Sequence, residues 1–196
     1  MSPVDEYVSI VVAAIIALML CAVLVLSFVS LRRPTTPPMA VAGGLVAAAL
    51  VTIVAVRPTH MPIAAAISLT VLGIAAATIG GNPFTRRALD IATGKRVRET
   101  EDGGILVMAA HGTDPDQAQT LMRGGTVIGY LERVAMVIAI TVGFPEAIAA
   151  IIAVKGIGRF PELAESEARE RFIIGTVASM LWAGVIGAII RLALVW

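Results

Sequence analysis

Long apolar runs separated by short polar links dominate the pattern of the chain. The first run covers residues 8–31, which are 24 residues without a charged side chain. At about 1.5 Å per residue, a helix of that length crosses a hydrocarbon core of about 30 Å with some tilt. The second and third runs cover residues 39–56 and 61–81. Because the link between them is short, they predict an antiparallel helical hairpin.

The last third of the chain differs, because two of its three apolar runs contain charged residues. These runs cover residues 124–144, 145–160 and 172–190, and only the last of them is free of charge. The six runs together predict an all-α fold, a polytopic transmembrane helix bundle of about six hydrophobic helices. Helices four and five are expected either to cross the membrane or to form a short, re-entrant hairpin.

Residues 82–123 form the only long polar stretch and divide the chain into three regions. They separate an N-terminal three-helix membrane region, residues 1–81, from a C-terminal three-helix membrane module, residues 124–196. Within the polar stretch, residues 104–110 have a strand-like pattern and residues 114–122 have a helix-like pattern. The stretch is too short to predict a separate folded domain, so we expect a polar cytoplasmic loop.

The composition places the protein in lipid rather than in water. Of its 196 residues, 58% are hydrophobic and 15% are charged, whereas soluble domains average about 45–50% and about 25%. The net charge of +1 supplies no concentrated basic surface for phosphates, so nucleic acid is not expected as a partner. The single cysteine, Cys21, lies inside the first apolar run. Because there is only one cysteine, an intrachain disulfide and a cysteine-based metal site within the chain are excluded.

The distribution of lysine and arginine predicts the orientation in the membrane. If the N-terminus is outside, the cytoplasmic segments hold eleven of these residues and the outer segments hold two, Arg57 and Arg191. Since basic residues are retained on the cytoplasmic side, we expect both termini outside and residues 82–123 inside. Basic residues early in that loop predict contact with anionic lipid headgroups; they are Arg86, Arg87, Lys95, Arg96 and Arg98.

Small residues spaced four apart predict where helices approach one another. Lipid tails supply no hydrophobic force between helices, so small side chains that let backbones come close are the usual contact positions. We expect such faces to mediate helix packing, self-association or contact with a membrane-protein partner. They comprise Gly175, Ser179, Ala183 and Gly187 in the last run, Gly73 and Ala77 in the third run, and Gly125 and Gly129 in the fourth.

Charged side chains at membrane depth mark the fourth and fifth runs as the candidate site. A charge in the hydrocarbon region costs about 2.5–3.5 kcal/mol, so it persists where it is paired, solvated or functional. If the chain reverses at residues 143–145, Glu132 and Lys155 lie at matching depth, about 15–18 Å from the turn, and are expected to pair. The candidates for a ligand site or ion pathway are Glu132, Arg133, Glu146, Lys155 and Arg159.

These charges also have a purely structural interpretation. Arg133, Lys155 and Arg159 can extend their charged ends to the cytoplasmic headgroups, with Glu132 as a structural partner. A polar route or ligand site and an interface with another protein are the two other interpretations. The sequence leaves all three open.

The charged segments resemble part of a known family. Over residues 124–190 the chain is similar to the C-terminal membrane module of an uncharacterised family of bacterial integral membrane proteins, which carries a domain-of-unknown-function label. The resemblance implies a recurring three-segment unit in a prokaryotic plasma membrane, and it implies no activity. The family's N-terminal half, which is expected to contain His and Asp, is not matched here. The motifs are Gly125-x-x-Ile128-Gly129-x-Leu131-Glu132-Arg133, Gly143-x-x-Glu146-Ala147-Ile148, Ala153-x-Lys155-x-Ile157-x-Arg159-Phe160 and Phe172-Ile173-Ile174-Gly175-Thr176-x-x-Ser179.

No catalytic or metal-binding motif accompanies the charges. The sequence lacks His-Glu-x-x-His, Gly-x-Ser-x-Gly and phosphate-loop patterns, and His60 and His111 fall on opposite sides of the predicted topology. We therefore expect no cofactor and no metal. An enzyme is not favoured, because a lipid-modifying role for Glu132 lacks a second carboxylate or a metal ligand at its depth. The favoured function is a small channel or carrier acting as a homo-oligomer, and the alternative is a non-catalytic subunit of a larger membrane complex.

Thiol labelling tests the predicted orientation. Thr113→Cys introduces a cysteine into the loop that is expected to be cytoplasmic. A membrane-impermeant thiol reagent should therefore leave this cysteine unlabelled in intact cells and label it after lysis. Labelling in intact cells would reverse the assignment of the loop and of both termini.

Overall fold

The computed structural model describes residues 3–32, 36–58, 61–93, 125–158 and 166–195. Within these ranges the chain forms six helices and no strand. The predicted strand at residues 104–110 and the predicted helix at residues 114–122 lie outside them. The helices are α1 (Pro3–Arg32), α2 (Thr36–Val56), α3 (Ile63–Ala92), α4 (Gly125–Val142), α5 (Glu146–Gly158) and α6 (Ser166–Val195).

Five of the six helices are long and apolar enough to span a membrane, which confirms the predicted helical bundle of a multi-pass membrane protein. The exception is α5. Its 13 residues extend about 20 Å at 1.5 Å per residue, which is short of a hydrocarbon core of about 30 Å. The fifth run therefore forms a short helix. This agrees with the expected short hairpin and not with a helix that crosses the membrane.

Helix α6 lies at the centre of the bundle. It packs against α2, α3 and α4, whereas α1 packs against α2 and α3, and α5 packs against α4. Half of the most apolar part of α6 is buried, compared with 22–33% in the other four long helices. The helix begins at Ser166, earlier than the expected start at Phe172, because the Ala, Glu and Arg residues between them are good helix formers.

The predicted end of α3 near Gly81 is wrong, because the helix continues to Ala92. Pro83 lies inside the helix and is buried. Its missing N–H removes one helical hydrogen bond, but the residues on both sides of it remain helical. The first part of the predicted polar loop is thus helix, and Arg86 and Arg87 belong to α3.

Close contact between α3 and α6 depends on glycines of α3. A Cβ atom at Gly80 would lie 2.7 Å from Cζ2 of Trp182 and 2.9 Å from the Ser27 hydroxyl oxygen. The Trp182 ring is buried, and its Nε1 donates a hydrogen bond of 3.2 Å to the carbonyl of Ala76. The ring is therefore fixed at this place, and only a glycine at position 80 lets the two helices approach as they do.

The small-residue stripe of α6 is used inside the bundle. Ala183 is fully buried, and Ser179 is 5% exposed. A Cβ at Gly187 would lie 3.3 Å from Cβ of Ile140 on α4, while Gly175 faces α3. The predicted close approach through this stripe thus takes place between helices of one chain.

The two remaining groups of small residues differ in their surroundings. On α3, Ala77 is fully buried, and a Cβ at Gly73 would lie 2.6 Å from Cδ1 of Ile190. On α4, Gly129 is buried and Gly125 is half-buried. The α3 pair therefore packs against α6, whereas the α4 pair lies nearer to the charged residues described below.

A matched pair of Gly→Ala variants tests the close approach of α3 and α6. Gly80→Ala should lower the free energy of unfolding by about 1–3 kcal/mol, because the added methyl group overpacks a fixed site. Gly43→Ala, in the interior of α2 with no atom within 4 Å of its added Cβ, should raise stability by about 0.5–1 kcal/mol, because alanine favours helix. Thermal unfolding in detergent measures both. Equal stability of the two variants would contradict the tight contact.

Candidate functional site

A tight turn joins α4 to α5 and fixes the depth of every residue in the hairpin. Gly143 has a φ of +78°, a conformation that glycine adopts at no steric cost. The amide of Phe144 donates to the carbonyl of Ala139 at 2.8 Å. Arg191 of α6 donates from Nη1 to the carbonyl of Ile140 at 3.1 Å, so a cation from the central helix satisfies the end of α4. The turn lies at the position expected from the sequence.

Glu132 of α4 and Lys155 of α5 form an ion pair across the hairpin, as their matching depths predict. Their side chains are 13% and 19% exposed, respectively. Both helices rise about 1.5 Å per residue from the same turn, and this common rise brings the two groups to one level. Each charge compensates the other in a region where an isolated charge is costly.

Arg133 points to the other side of α4 and is buried in the bundle, with 5% of its surface exposed. Its Nε donates to the Ser179 hydroxyl at 2.9 Å, Nη1 donates to the Thr78 carbonyl at 2.9 Å, and Nη2 donates to Oδ1 of Asn82 at 2.7 Å. The interpretation in which Arg133 extends to the headgroups is therefore wrong. The guanidinium instead joins α4 to α3 and α6 through three neutral oxygen atoms.

Glycine at position 81 makes room for this guanidinium. A Cβ at Gly81 would overlap Nε and Cδ of Arg133, and a Cβ at Gly129 would lie 3.4 Å from its Nη2. The ring of Tyr130 lies beside the same group, with its centroid 5.9 Å from Cζ. The Arg133 side chain therefore fills a space that two helices leave open through their small residues.

Sequence reasoning missed Thr78 and Asn82 as partners of Arg133. The third apolar run was predicted to end at residue 81, so Asn82 was assigned to the polar loop of residues 82–123. A signal was present, because Thr78, Asn82 and Thr85 are spaced four and three apart, which places them on one face of a continuing helix. That spacing predicts a polar stripe facing a polar partner.

A cleft of about 630 Å³ lies between α4 and α5, within the size range of small-molecule sites. Glu132 and Lys155 provide its charged groups, and Gly125 and Gly129 line its α4 side. The remaining lining is mainly apolar, so the ion pair stands in apolar surroundings. Its apolar side chains are Ile128, Leu131, Ala135, Ala150, Ile151 and Val154.

The other candidate residues do not join this site. Glu146 is exposed in the first turn of α5, and Arg87 pairs with Asp90 on α3 at 3.7 Å. Within the described ranges, no group of three or more His, Cys, Asp or Glu side chains could hold a metal ion. Several residues considered above fall outside those ranges, namely Arg159, Lys95, Arg96, Arg98, His60 and His111.

Comparisons with protein families, with characterised proteins and with solved structures found no match to this chain. The resemblance of residues 124–190 to a bacterial membrane family therefore stays a prediction. Functional inference depends on the geometry of the hairpin.

A double-mutant cycle tests the energetic coupling of Glu132 and Lys155. Glu132→Gln and Lys155→Met should each lower stability, because removing one partner of this partly buried pair leaves an uncompensated charge. The loss should be smaller than the about 3–5 kcal/mol that applies to fully buried pairs in soluble proteins. The double variant should recover much of the loss. Chemical unfolding in detergent provides the measurement, with Glu146→Gln as an exposed control on the same hairpin. Additive losses would show that the two groups are not coupled.

Proposed function

We propose that this protein is a small membrane channel or carrier, and that the hairpin of α4 and α5 forms its solute site. The observation that carries the proposal is the group of three ionisable side chains at membrane depth, Glu132, Arg133 and Lys155. Such groups are costly in hydrocarbon, and they commonly mark substrate or ion pathways. A bundle held together by packing alone needs no charges there.

The cleft beside the ion pair supports the proposal. A solute needs both space and a polar contact, and the cleft offers about 630 Å³ next to Glu132 and Lys155. The short α5 forms one wall, and none of its residues is buried. A wall that packs mainly against α4 can change position at less cost than one buried in the bundle.

The proposed assembly is a homo-oligomer in the plasma membrane of a prokaryote, with both termini outside. Since the stripe of α6 is occupied within the chain, self-association requires another face. Small residues on the exposed side of α2 supply one, namely Ala40, Gly44 and Ala48, which are spaced four apart. A Cβ at Gly44 meets no atom within 4 Å, so another helix can approach closely there.

A non-catalytic subunit of a larger membrane complex is the second candidate. The exposure of α5 favours it, because Val154 and Ile157 are 71% and 75% exposed on a helix too short to span the hydrocarbon core by itself. A partner helix that covers α5 would bury this apolar surface. Purification from native membranes distinguishes a transport protein from a subunit of a complex, since a subunit would co-purify with a second protein in fixed stoichiometry.

Solute flux in reconstituted liposomes tests the proposed transport function. We expect the wild-type protein and the control Asp90→Asn, on α3 and outside the hairpin, to raise the permeability of liposomes to some members of a panel of cationic, anionic and neutral small solutes. The double variant Glu132→Gln/Lys155→Met should remain folded and lose this flux by at least about tenfold, because its cleft lacks both charges. Flux equal to that of protein-free liposomes, or full flux in the double variant, would contradict the proposal.

A further inference from the structure

The three ionisable side chains Glu132, Arg133 and Lys155 carry one more positive charge than negative charge. Glu132 pairs with Lys155, while Arg133 is bound by neutral oxygen atoms of Thr78, Asn82 and Ser179. The three ionised groups therefore carry a net charge of one positive unit. An unbalanced charge in a region of low dielectric favours the approach of an ion of opposite sign.

The lining of the cleft restricts the chemistry of such an anion. Beside the single ion pair, the walls are formed by aliphatic residues such as Leu131, Ile151 and Val154. A small, strongly hydrated inorganic ion gains little from walls of this kind. A cleft of about 630 Å³ instead suits one charged group attached to an apolar body.

We propose that the cleft between α4 and α5 binds an organic monoanion with an apolar body together with one proton. This inference rests on the proposed transport function, for which it names the class of solute. The proton comes from a hydronium ion of the solvent, whose O–H bond breaks to leave neutral water, and it binds the Glu132 carboxylate, so that the ion pair with Lys155 separates. The ammonium of Lys155 then pairs with the anionic group of the solute. The O–H bond on Glu132 is the only covalent bond formed.

Charge balance makes the two binding events cooperative. If the anion binds alone, Lys155 has to leave an ionised Glu132, which then lacks a partner. If the proton binds alone, Lys155 and Arg133 remain as two cations with no anion. If both bind, each anionic group has a cationic partner and the net charge of the site stays the same. Each ligand therefore raises the affinity for the other, as linkage requires.

The titratable groups around Glu132 are few. Lys155 faces it from α5. On α4, Arg133 is the next residue in the chain and points to the other side of the helix, where the Tyr130 ring lies beside it. Helices α3 and α6 pack against the Arg133 side of α4, where they present neutral partners. Their charged residues within the described ranges lie towards the helix ends, namely Arg86, Arg87, Asp90, Glu167, Arg169, Glu170, Arg171 and Arg191. Glu132 is therefore the carboxylate that can bind a proton when its ion pair with Lys155 separates.

Calorimetric binding of octanesulfonate tests the proposal. The protein is placed in nanodiscs of zwitterionic phosphatidylcholine and titrated between about pH 5 and pH 8, a range above the pKa of a glutamate side chain in model peptides. The sulfonate keeps its charge over this range, so any proton taken up binds to the protein. We expect uptake of about one proton per anion, and an affinity that falls by up to about tenfold per pH unit. Methanesulfonate has the anionic group without the apolar chain, and 1-octanol has the apolar chain without the anionic group. Each should bind at least about tenfold more weakly than octanesulfonate.

Single substitutions test whether Glu132 binds the proton and whether Lys155 binds the anion. Glu132→Gln should bind octanesulfonate with no proton uptake and no pH dependence, because Lys155 is permanently free of a carboxylate. Lys155→Met should lose binding at every pH, and Lys155→Arg should retain it. If Lys155→Met fails to fold, the double variant Glu132→Gln/Lys155→Met tests the contact with the anion, since it should be folded and should not bind. If Glu132→Gln fails to fold, proton uptake by the wild type and by Lys155→Arg, at about one proton per anion in each, tests the proton. Asp90→Asn, on α3 and outside the hairpin, should behave as the wild type.

Four results would overturn the proposal, and the first three concern binding of the probes. They are octanesulfonate binding without proton uptake in the wild type, retained binding in the Lys155→Met or double variant, and equally strong binding of 1-octanol. Displacement of the sulfonate by phosphatidylglycerol nanodiscs at all pH values would also overturn it, by making the occupant a lipid headgroup. The assay measures binding and not flux. Binding with no flux in liposomes contradicts the proposed transport, whereas flux of other solutes without sulfonate binding contradicts only the present inference.

Discussion

The bundle depends on how the guanidinium of Arg133 is satisfied. In a bilayer no water is available to solvate a buried donor, so the protein itself has to supply every acceptor. Three acceptors come from α3 and α6, which means that α4 can occupy only the depth and rotation at which all three are reached. The glycine at position 81 follows from the same requirement, because any side chain there would overlap Arg133. One charged group thus sets the register of three helices.

The opposite faces of α4 have different roles because of this arrangement. Arg133 holds one face against the centre of the bundle, where contacts are dense and partners are neutral. Glu132, the preceding residue, lies on the side of α5 and of the cleft. Adjacent residues on a helix point about 100° apart, so Arg133 faces the centre of the bundle while Glu132, one residue earlier, lines the cleft.

Hydropathy was sufficient to predict the class of fold and the pair formed by Glu132 and Lys155. The pair followed from counting residues away from a glycine-proline turn, since helical rise is the same on both sides. The burial of Arg133 could not be predicted in this way, because it depends on which face of α4 meets α3. The extent of α3 was missed for a related reason: Asn82 and Pro83 look like a helix end until the partner of the Asn82 amide is known. The small residues of α6 indicated close packing but not whether the partner helix belonged to the same chain.

The short α5 has a consequence for how the protein enters the membrane. A segment of 13 residues that contains a lysine gains little from partitioning into lipid alone, and α4 with its glutamate and arginine has a similar difficulty. Inserted together as a hairpin, the two segments neutralise Glu132 and Lys155 before either meets hydrocarbon. Arg133 still needs hydrogen-bond acceptors. Thr78 and Asn82 of α3 are synthesised before Arg133, whereas Ser179 of α6 is synthesised after it. Because these acceptors lie on both sides of the hairpin in the chain, the hydrogen bonds of Arg133 are complete only once α6 has been made.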